Sequence, residues 1–381
     1  MHLHNCHDFH DFRRLAKGRL PAPIFDYIDG AADDEVTHRR NTKAFESCDL
    51  IPRVLRGVEN IDLSVTVMGQ KLALPVYCSP TALQRLFHHQ GERAVAAAAA
   101  KYGTMFGVSS LGTVSLEELR KAHDTPQVYQ FYFHKDRGLN RAMLQRAKDA
   151  RVDIMMLTVD SITGGNRERD LRTGFSIPFS LTLAGMLQFA IKPMWAINYA
   201  THEQFRLPQL DEHVDMSGGA LSIGRYFTEM LDPSMNWDDV CEMVRTWNGQ
   251  FCLKGVMSIA DAKRAAEIGC TGIVVSNHGG RQLDGSRASF DQLAEIVDAV
   301  GDQIDVLMDG GVQRGTHVLK ALSVGAKAIG VGRYYLYPLA AAGQAGVERA
   351  LSLMQTELER DMKLMGCTAI SQLSRDNLRF R

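Results

Sequence analysis

Eight short apolar runs, each ending in small, polar or charged residues and separated by helical patterns, restrict the folds open to this 381-residue chain. They are Leu74–Pro80, Thr104–Ser110, Gln127–Phe133, Ile154–Asp160, Phe251–Val256, Gly272–His278, Ile304–Gly311 and Ala328–Arg333. Runs rich in Val, Ile, Leu, Met and Phe suit strands buried on both faces, and their alternation with helices makes the sheet parallel. An open doubly wound sheet also holds eight strands. The strand count, the chain length and the polar residues gathered at strand C-termini favour closure into a (β/α)8 TIM barrel. The expectation is therefore an α/β single domain over 1–381, with the barrel at about 74–350. An N-terminal helical extension precedes it, and a long insertion follows strand four.

The helices carry their own punctuation. Glu92–Tyr102 holds an alanine run stopped by Gly103, and Ser115-Leu116-Glu117-Glu118 spells a capping box. Ser258–Gly269 places Asp261 in a first turn, and Thr316–Gly325 follows strand seven. Phe25–Asn41 reads as a helix broken at Gly30 and restarted at an acidic second N-terminus, with Tyr27 either reaching over the barrel mouth or packing ordinarily. Residues 161–250 separate strands four and five, and the insertion proper spans about 176–240. Within it Ser180–Ile197 is apolar nearly all round. That segment is too short to span a bilayer, which takes ~20 residues, but it suits a membrane interface, a lid or an oligomer contact.

Other classes are excluded more simply. A net charge of −1 and a pI near 6.9 give no electrostatic case for nucleic acid. The seven cysteines are scattered with no C-x-x-C pair, which favours reduced thiols and a cytoplasmic setting. Met1–Phe12 has four histidines (His2, His4, His7, His10) and no apolar h-region. It reads as a mobile surface tail, and no metal site is expected because no thiolate or carboxylate defines a geometry.

In a barrel, chemistry belongs to the strand C-termini and the loops after them. Those positions hold Pro80-Thr81-Ala82, Ser109, Gln130 with Tyr132, Thr158 with Asp160, Lys254, Ser276 with His278 and Arg281, Asp309-Gly310-Gly311, and Gly332-Arg333. The last two loops combine backbone amides with a cation where barrels commonly bind phosphate. No G-x-G-x-x-G follows a strand, which argues against a Rossmann site. Arg167 and Arg281 suit a bidentate grip on a carboxylate, His278 suits a base, and Asp160 can fix its tautomer. Lys254 adds positive charge able to stabilise an anionic ring. Together they describe proton removal from an anionic organic acid. Any one of them alone would pass as a surface ion pair worth about 0–1 kcal/mol.

The S-N-H-G-G-R-Q-L-D stretch (276–284), L-T-V-D (157–160), N-R-E-R-D (166–170), F-D-Y-I-D-G-A-A-D-D-E (25–35) and G-V-G-R (330–333) carry a resemblance over nearly the whole chain. It resembles the FMN-dependent L-2-hydroxy acid dehydrogenase/oxidase family. The resemblance implies FMN held by Pro80, Thr81, Ala82, Ser109, Gln130, Thr158, Lys254 and Ser276 at the ring and ribityl chain. Asp309, Gly310, Gly311, Gly332 and Arg333 would serve its phosphate end. It implies substrate binding by Tyr27, Tyr132, Arg167, Arg281 and Leu111, with His278 as base, Asp160 orienting it, and Tyr132 and Arg281 assisting. The implied reaction is oxidation of an L-2-hydroxy acid, L-lactate to pyruvate first, with electrons passed to quinone or cytochrome. The implied setting is a homotetramer, peripheral on the inner face of the cytoplasmic membrane through 180–197. Alternatives in the same class are a soluble oxidase using O2 and a mandelate-type dehydrogenase; outside it stands a non-catalytic flavin-binding sensor or maturation protein.

Some positions depart from the family pattern. Gln313 stands where many relatives have arginine, leaving a phosphate contact to Arg333 with help from Arg314. Leu111 replaces the tryptophan of glycolate oxidase, which suits a short aliphatic substrate. Gly280 resembles dehydrogenases, whereas Ala82 resembles oxidases and the flavocytochrome enzyme.

Overall fold

A computed structural model of the chain describes residues 2–175, 189, 191–210 and 229–381. Eight parallel strands close into a barrel: β1 (Val76–Thr81), β2 (Phe106–Ser109), β3 (Gln127–Tyr132), β4 (Ile154–Thr158), β5 (Gln250–Val256), β6 (Gly272–Val275), β7 (Asp305–Asp309) and β8 (Ile329–Val331). Pairing runs in chain order, and β8 returns to β1 with Ile329 beside Val76. The fold is a (β/α)8 barrel, and every strand end lies within three residues of its sequence expectation. The strand interiors are buried almost without exception, which is why their sequences read as continuous apolar runs.

Side chains fill the lumen. Tyr77, Met156, Cys252, Val274 and Leu307 pack together inside the barrel. The hairpin formed by Val65–Val67 and Gln70–Leu72, absent from the sequence reading, adds Val67, Met68 and Leu72 to this cluster. The Met68 amide donates to Asp305 at the start of β7 (2.5 Å), so the hairpin plugs the N-terminal end of the barrel. Chemistry is thereby confined to the opposite rim.

That rim is roofed by the N-terminal extension: α1 (Phe9–Arg19), α2 (Ala22–Asp29) and α3 (Val36–Lys43). The expected mobile tail is corrected here. Phe9 and Phe12 are buried, and Phe9 meets Tyr337 with ring centroids 5.3 Å apart. The chain breaks after α2 at Gly30, as expected. The buried Asp29 carboxylate fixes that bend by accepting from Arg13, Arg169 and the Tyr337 hydroxyl. Burial opposes its charge, but these partners hold its pKa down at about 2.

The remaining helices cover the outside. Ser115 caps its helix by accepting from the Glu118 amide, but the capping box is only half made because the Glu118 carboxylate turns to Arg93. Ser258 caps the next example as expected. After β8 a long helix (Arg333–Met365) bends at Ala342–Gly343. Of the apolar 180–197 segment, residues 180–188 and 190 lie outside the described residues, as do 176–179 and 211–228 of the insertion. The following helix (Pro193–Thr201) is described, and its Trp195 indole donates to the Leu86 carbonyl at 2.7 Å. No helix among the described residues is long and apolar enough to cross a membrane.

Candidate active site

The barrel's open rim and its helical roof enclose a cavity of about 1270 Å³, its solvent-open mouth included. Tyr27, Pro80, Thr81, Ala82, Ser109, Leu111, Gln130, Tyr132, Thr158, Arg167, Lys254, His278, Arg281, Asp309, Gly310, Gly311, Gly332 and Arg333 all line it. Asp160 and Ser276 stand directly behind that lining, bonded to His278 and Lys254 respectively. Residues as far apart in sequence as 27 and 333 thus share one chamber.

The stretch after β6 explains itself residue by residue. Ser276 donates to Asp309 and accepts from Lys254, tying three strand ends together. Asn277 and Asn41 exchange side-chain hydrogen bonds at 2.7 and 2.8 Å, pinning the loop to α3. Gln282 donates to the Asp160 and Thr163 carbonyls and accepts from the Gly165 amide, locking this loop to the one after β4. Asp284 accepts from the Val36 and Thr37 amides, capping α3 from a distance. His278 itself sits at φ +59, a left-handed backbone that a side chain adopts only under constraint.

The His278 Nδ1–H donates to Asp160 Oδ1 at 3.0 Å, so Nε2 is the ring's proton acceptor. Burial lowers the imidazole pKa; Asp160 opposes this, and Lys254 and Arg281 reinforce it. Burial works the other way on Asp160, but His278 and Lys254 hold its carboxyl below the usual range. A neutral imidazole on an ionised carboxylate is ready to take a proton and stable once it has one.

The cations sort into two groups. Arg281 and Arg167 lie over the Tyr27 ring, 5.0 and 5.6 Å from its centroid. Arg281 donates from Nη1 to the Tyr27 and Gly30 carbonyls, leaving Nε and Nη2 without a partner among the described residues. Burial and the neighbouring Arg167 pull its pKa down to about 10, the mark of a cation short of an anion. Lys254 donates to Ser276 (3.0 Å) and pairs with Asp309 (3.2 Å), so one of its three N–H groups stays open toward the cavity floor. Burial disfavours its charge, but Asp309 and Asp160 outweigh that and raise its pKa.

A family model described as FMN-dependent dehydrogenase matches residues 16–380. The chain belongs to that family. It is 42% identical to an L-lactate oxidase of Nostoc sp. over 367 residues, covering 95% of both chains. It is 39% identical to an L-lactate dehydrogenase of Caulobacter vibrioides over 366 residues, covering 96% of this chain and 95% of that one. Its fold superposes on the monotopic membrane protein (S)-mandelate dehydrogenase with a TM-score of 0.94 and 32% identity, over 99% of this chain and 100% of the other.

FMN is this family's cofactor, and the chamber suits it. A floor of buried hydrogen-bonding groups (Gln130, Thr158, Lys254) leads to glycine-rich loops after β7 and β8. Gly311 adopts φ +74, and a Cβ there would stand 2.3 Å from the Asn41 backbone, so side chains are excluded where the cradle meets α3.

At the expected phosphate end Arg333 lines the cavity and donates to the carbonyls of Ile28, Gly30 and Gly279 (2.7–3.0 Å), binding the roof to the rim with three of its five N–H groups. Arg314 points away from the cavity, to Glu357 at 2.9 Å and Asp8 at 3.4 Å. Gln313 lines this end as well, with His38 and Thr42, which the sequence did not single out. Burial and Arg333 push His38 down to about 3, so it is a neutral partner.

At φ +78 the Cβ position of Gly280 falls 2.6 Å from the His38 amide nitrogen. The glycine therefore packs directly on the α3 backbone, where a side chain would force α3 to shift. A Gly280→Ala variant is expected to lose about 1–3 kcal/mol of stability. Thermal denaturation of the yellow protein checks this; an unchanged Tm would show that α3 yields freely.

Proposed function

We propose that this protein oxidises a short L-2-hydroxy acid, L-lactate first, to the 2-oxo acid and delivers the electrons to a membrane quinone or a cytochrome. The observation that carries the reading is a neutral His278 on an ionised Asp160, with His278 sharing one chamber with two guanidiniums. Arg281 and Arg167 receive the substrate carboxylate, and Tyr27 and Tyr132 bound the hydroxyl end. His278 Nε2 accepts a proton from the substrate while Asp160 stabilises the imidazolium. FMN, when bound, supplies the two-electron acceptor beside the substrate α-carbon. An intact base and anion clamp is what a non-catalytic flavin-binding protein would not need.

Leu111 lines the cavity wall, and an aliphatic side chain there supports a short aliphatic substrate. Anaerobic bleaching across glycolate, L-lactate, longer acids and mandelate tests the choice. L-lactate should bleach fastest, and Leu111→Ala should shift preference toward bulkier acids by about 10-fold or more. Fastest bleaching by mandelate in the unaltered protein would overturn the substrate assignment.

The exposed Ile191, Met194, Ile197 and Tyr199 support a peripheral position on the inner face of the cytoplasmic membrane, and the monotopic relative agrees with it. Replacing Ile191, Met194 and Ile197 together by serine should release the protein from membranes in a sedimentation assay. Retention at the unaltered level would remove this contact. A homotetramer completes the proposal, and sedimentation velocity decides it. A second reading has the Nostoc L-lactate oxidase in its favour: O2 as acceptor. Rapid recolouring in air with stoichiometric peroxide would establish that reading instead.

A further inference from the structure

A second cavity, about 1100 Å³ with its solvent-open mouth included, lies on the other side of Phe87. Phe87 is buried, lines both chambers, and stacks on Tyr27 with centroids 6.2 Å apart. One aromatic side chain thus separates the family's cofactor chamber from this pocket. The far wall is the helix Pro193–Thr201, whose Trp195 and Tyr199 rings stack 5.2 Å apart and nearly parallel. Ile191 and Met194, each 70% exposed, form an apolar lip.

Two polar groups among the lining residues, Arg85 Nε and His89 Nδ1, are buried and have no hydrogen-bond partner among the described residues. A buried unmet donor costs about 1–3 kcal/mol, so its persistence asks for a ligand atom that satisfies it. The charge of Arg85 is already answered: its terminal nitrogens donate to the Glu203 and Gln204 carbonyls, and the Glu203 carboxylate stands 3.8 Å away. Burial lowers the His89 pKa, and the stacked His202, 3.9 Å away, adds to this. The buried wall therefore offers the Arg85 Nε–H as a donor, with His89 Nδ1 beside it donating or accepting according to tautomer. An acyl chain would leave Arg85 Nε unmet, and the other cations of the lining stand toward solvent: Arg19 is exposed, and Lys192 donates to the Gly18 carbonyl at 2.7 Å.

We propose that this cavity binds a quinone, its ring between the Phe87 and Trp195 sides, a carbonyl oxygen on Arg85 or His89, and its isoprenoid tail leaving over Ile191 and Met194. The inference rests on the proposed dehydrogenase reading and gives its acceptor a place. The exchange balances: L-lactate loses two electrons and two protons to become pyruvate, and the quinone gains both to become quinol. The cofactor passes the electrons and ends as it began.

The test uses FMN-loaded protein and decylubiquinone, with His89→Leu and the surface variant Met194→Trp beside the unaltered chain. Retention of decylubiquinone on ultrafiltration of the oxidised protein, which needs no turnover, should fall about tenfold or more in both variants. Recolouring of lactate-bleached protein by decylubiquinone should slow to the same degree. Bleaching by L-lactate and recolouring by ferricyanide should stay within about twofold. Unaltered retention and recolouring in both variants would place quinone reduction elsewhere and leave the lactate reading standing. A bleached unaltered protein that ferricyanide recolours and decylubiquinone does not would overturn both the pocket and the quinone. Absence of bleaching by any 2-hydroxy acid would sink the dehydrogenase reading itself, and retention alone would then decide the pocket.

Discussion

A His278→Gln variant is expected to stay yellow while its anaerobic bleaching by L-lactate slows about 10²–10⁴-fold, the usual contribution of a positioned base. Glutamine keeps most of the side chain's bulk but cannot accept a proton. The colour should persist because the cavity floor, built on Gln130, Thr158 and Lys254, is untouched. Bleaching at more than a tenth of the unaltered rate would show that the proton leaves by another route. The same residue sets the pH response. The base works only when neutral, and burial moves its pKa below the ordinary value of about 6.5. The kcat/KM for L-lactate should therefore fall toward acid with a midpoint below about pH 6.5. A decline already under way above neutrality would contradict the depressed imidazole.

Arg281→Met should cut kcat/KM for L-lactate by about 10²–10⁴-fold, the worth of one bidentate pair of charge-assisted hydrogen bonds at about 1.5–3 kcal/mol each. Burial beside Arg167 already depresses the pKa of Arg281 to about 10, so a substrate carboxylate relieves an existing repulsion as well as adding contacts. Arg281→Lys restores charge without the planar fork and should recover only part of the loss. Because Arg281 also holds the Tyr27 and Gly30 carbonyls, flavin content must be measured beside the kinetics. A methionine variant with full flavin and nearly unaltered kcat/KM would move the carboxylate site elsewhere.

Where the sequence succeeded, the signal was local or periodic. The eight strands show as apolar runs because both their faces are buried, and Ser115 and Ser258 announce helix starts because a cap is settled within four residues. What escaped had no such signal. The strand Cys48–Leu50 pairs with Leu378–Phe380 across the whole chain, and three residues carry no period to detect. The Val65–Leu72 hairpin was overlooked for the same brevity, although Met68-Gly69, both at positive φ, marks its turn. The histidine-rich start looked mobile by composition, yet Phe9 and Phe12 are buried because the last long helix lies beneath them.

Chain order alone determined the barrel and the membership of its C-terminal rim, since a strand's end and the loop after it are neighbours in sequence. Only tertiary structure decided who holds whom there. Arg333 donates to three carbonyls, Arg314 turns outward to Glu357, and Gly280 packs against the α3 backbone. The Arg333 bonds to Ile28 and Gly30 join segments 305 and 303 residues apart, and their geometry is set by the packing of the roof upon the rim. No local pattern encodes that distance.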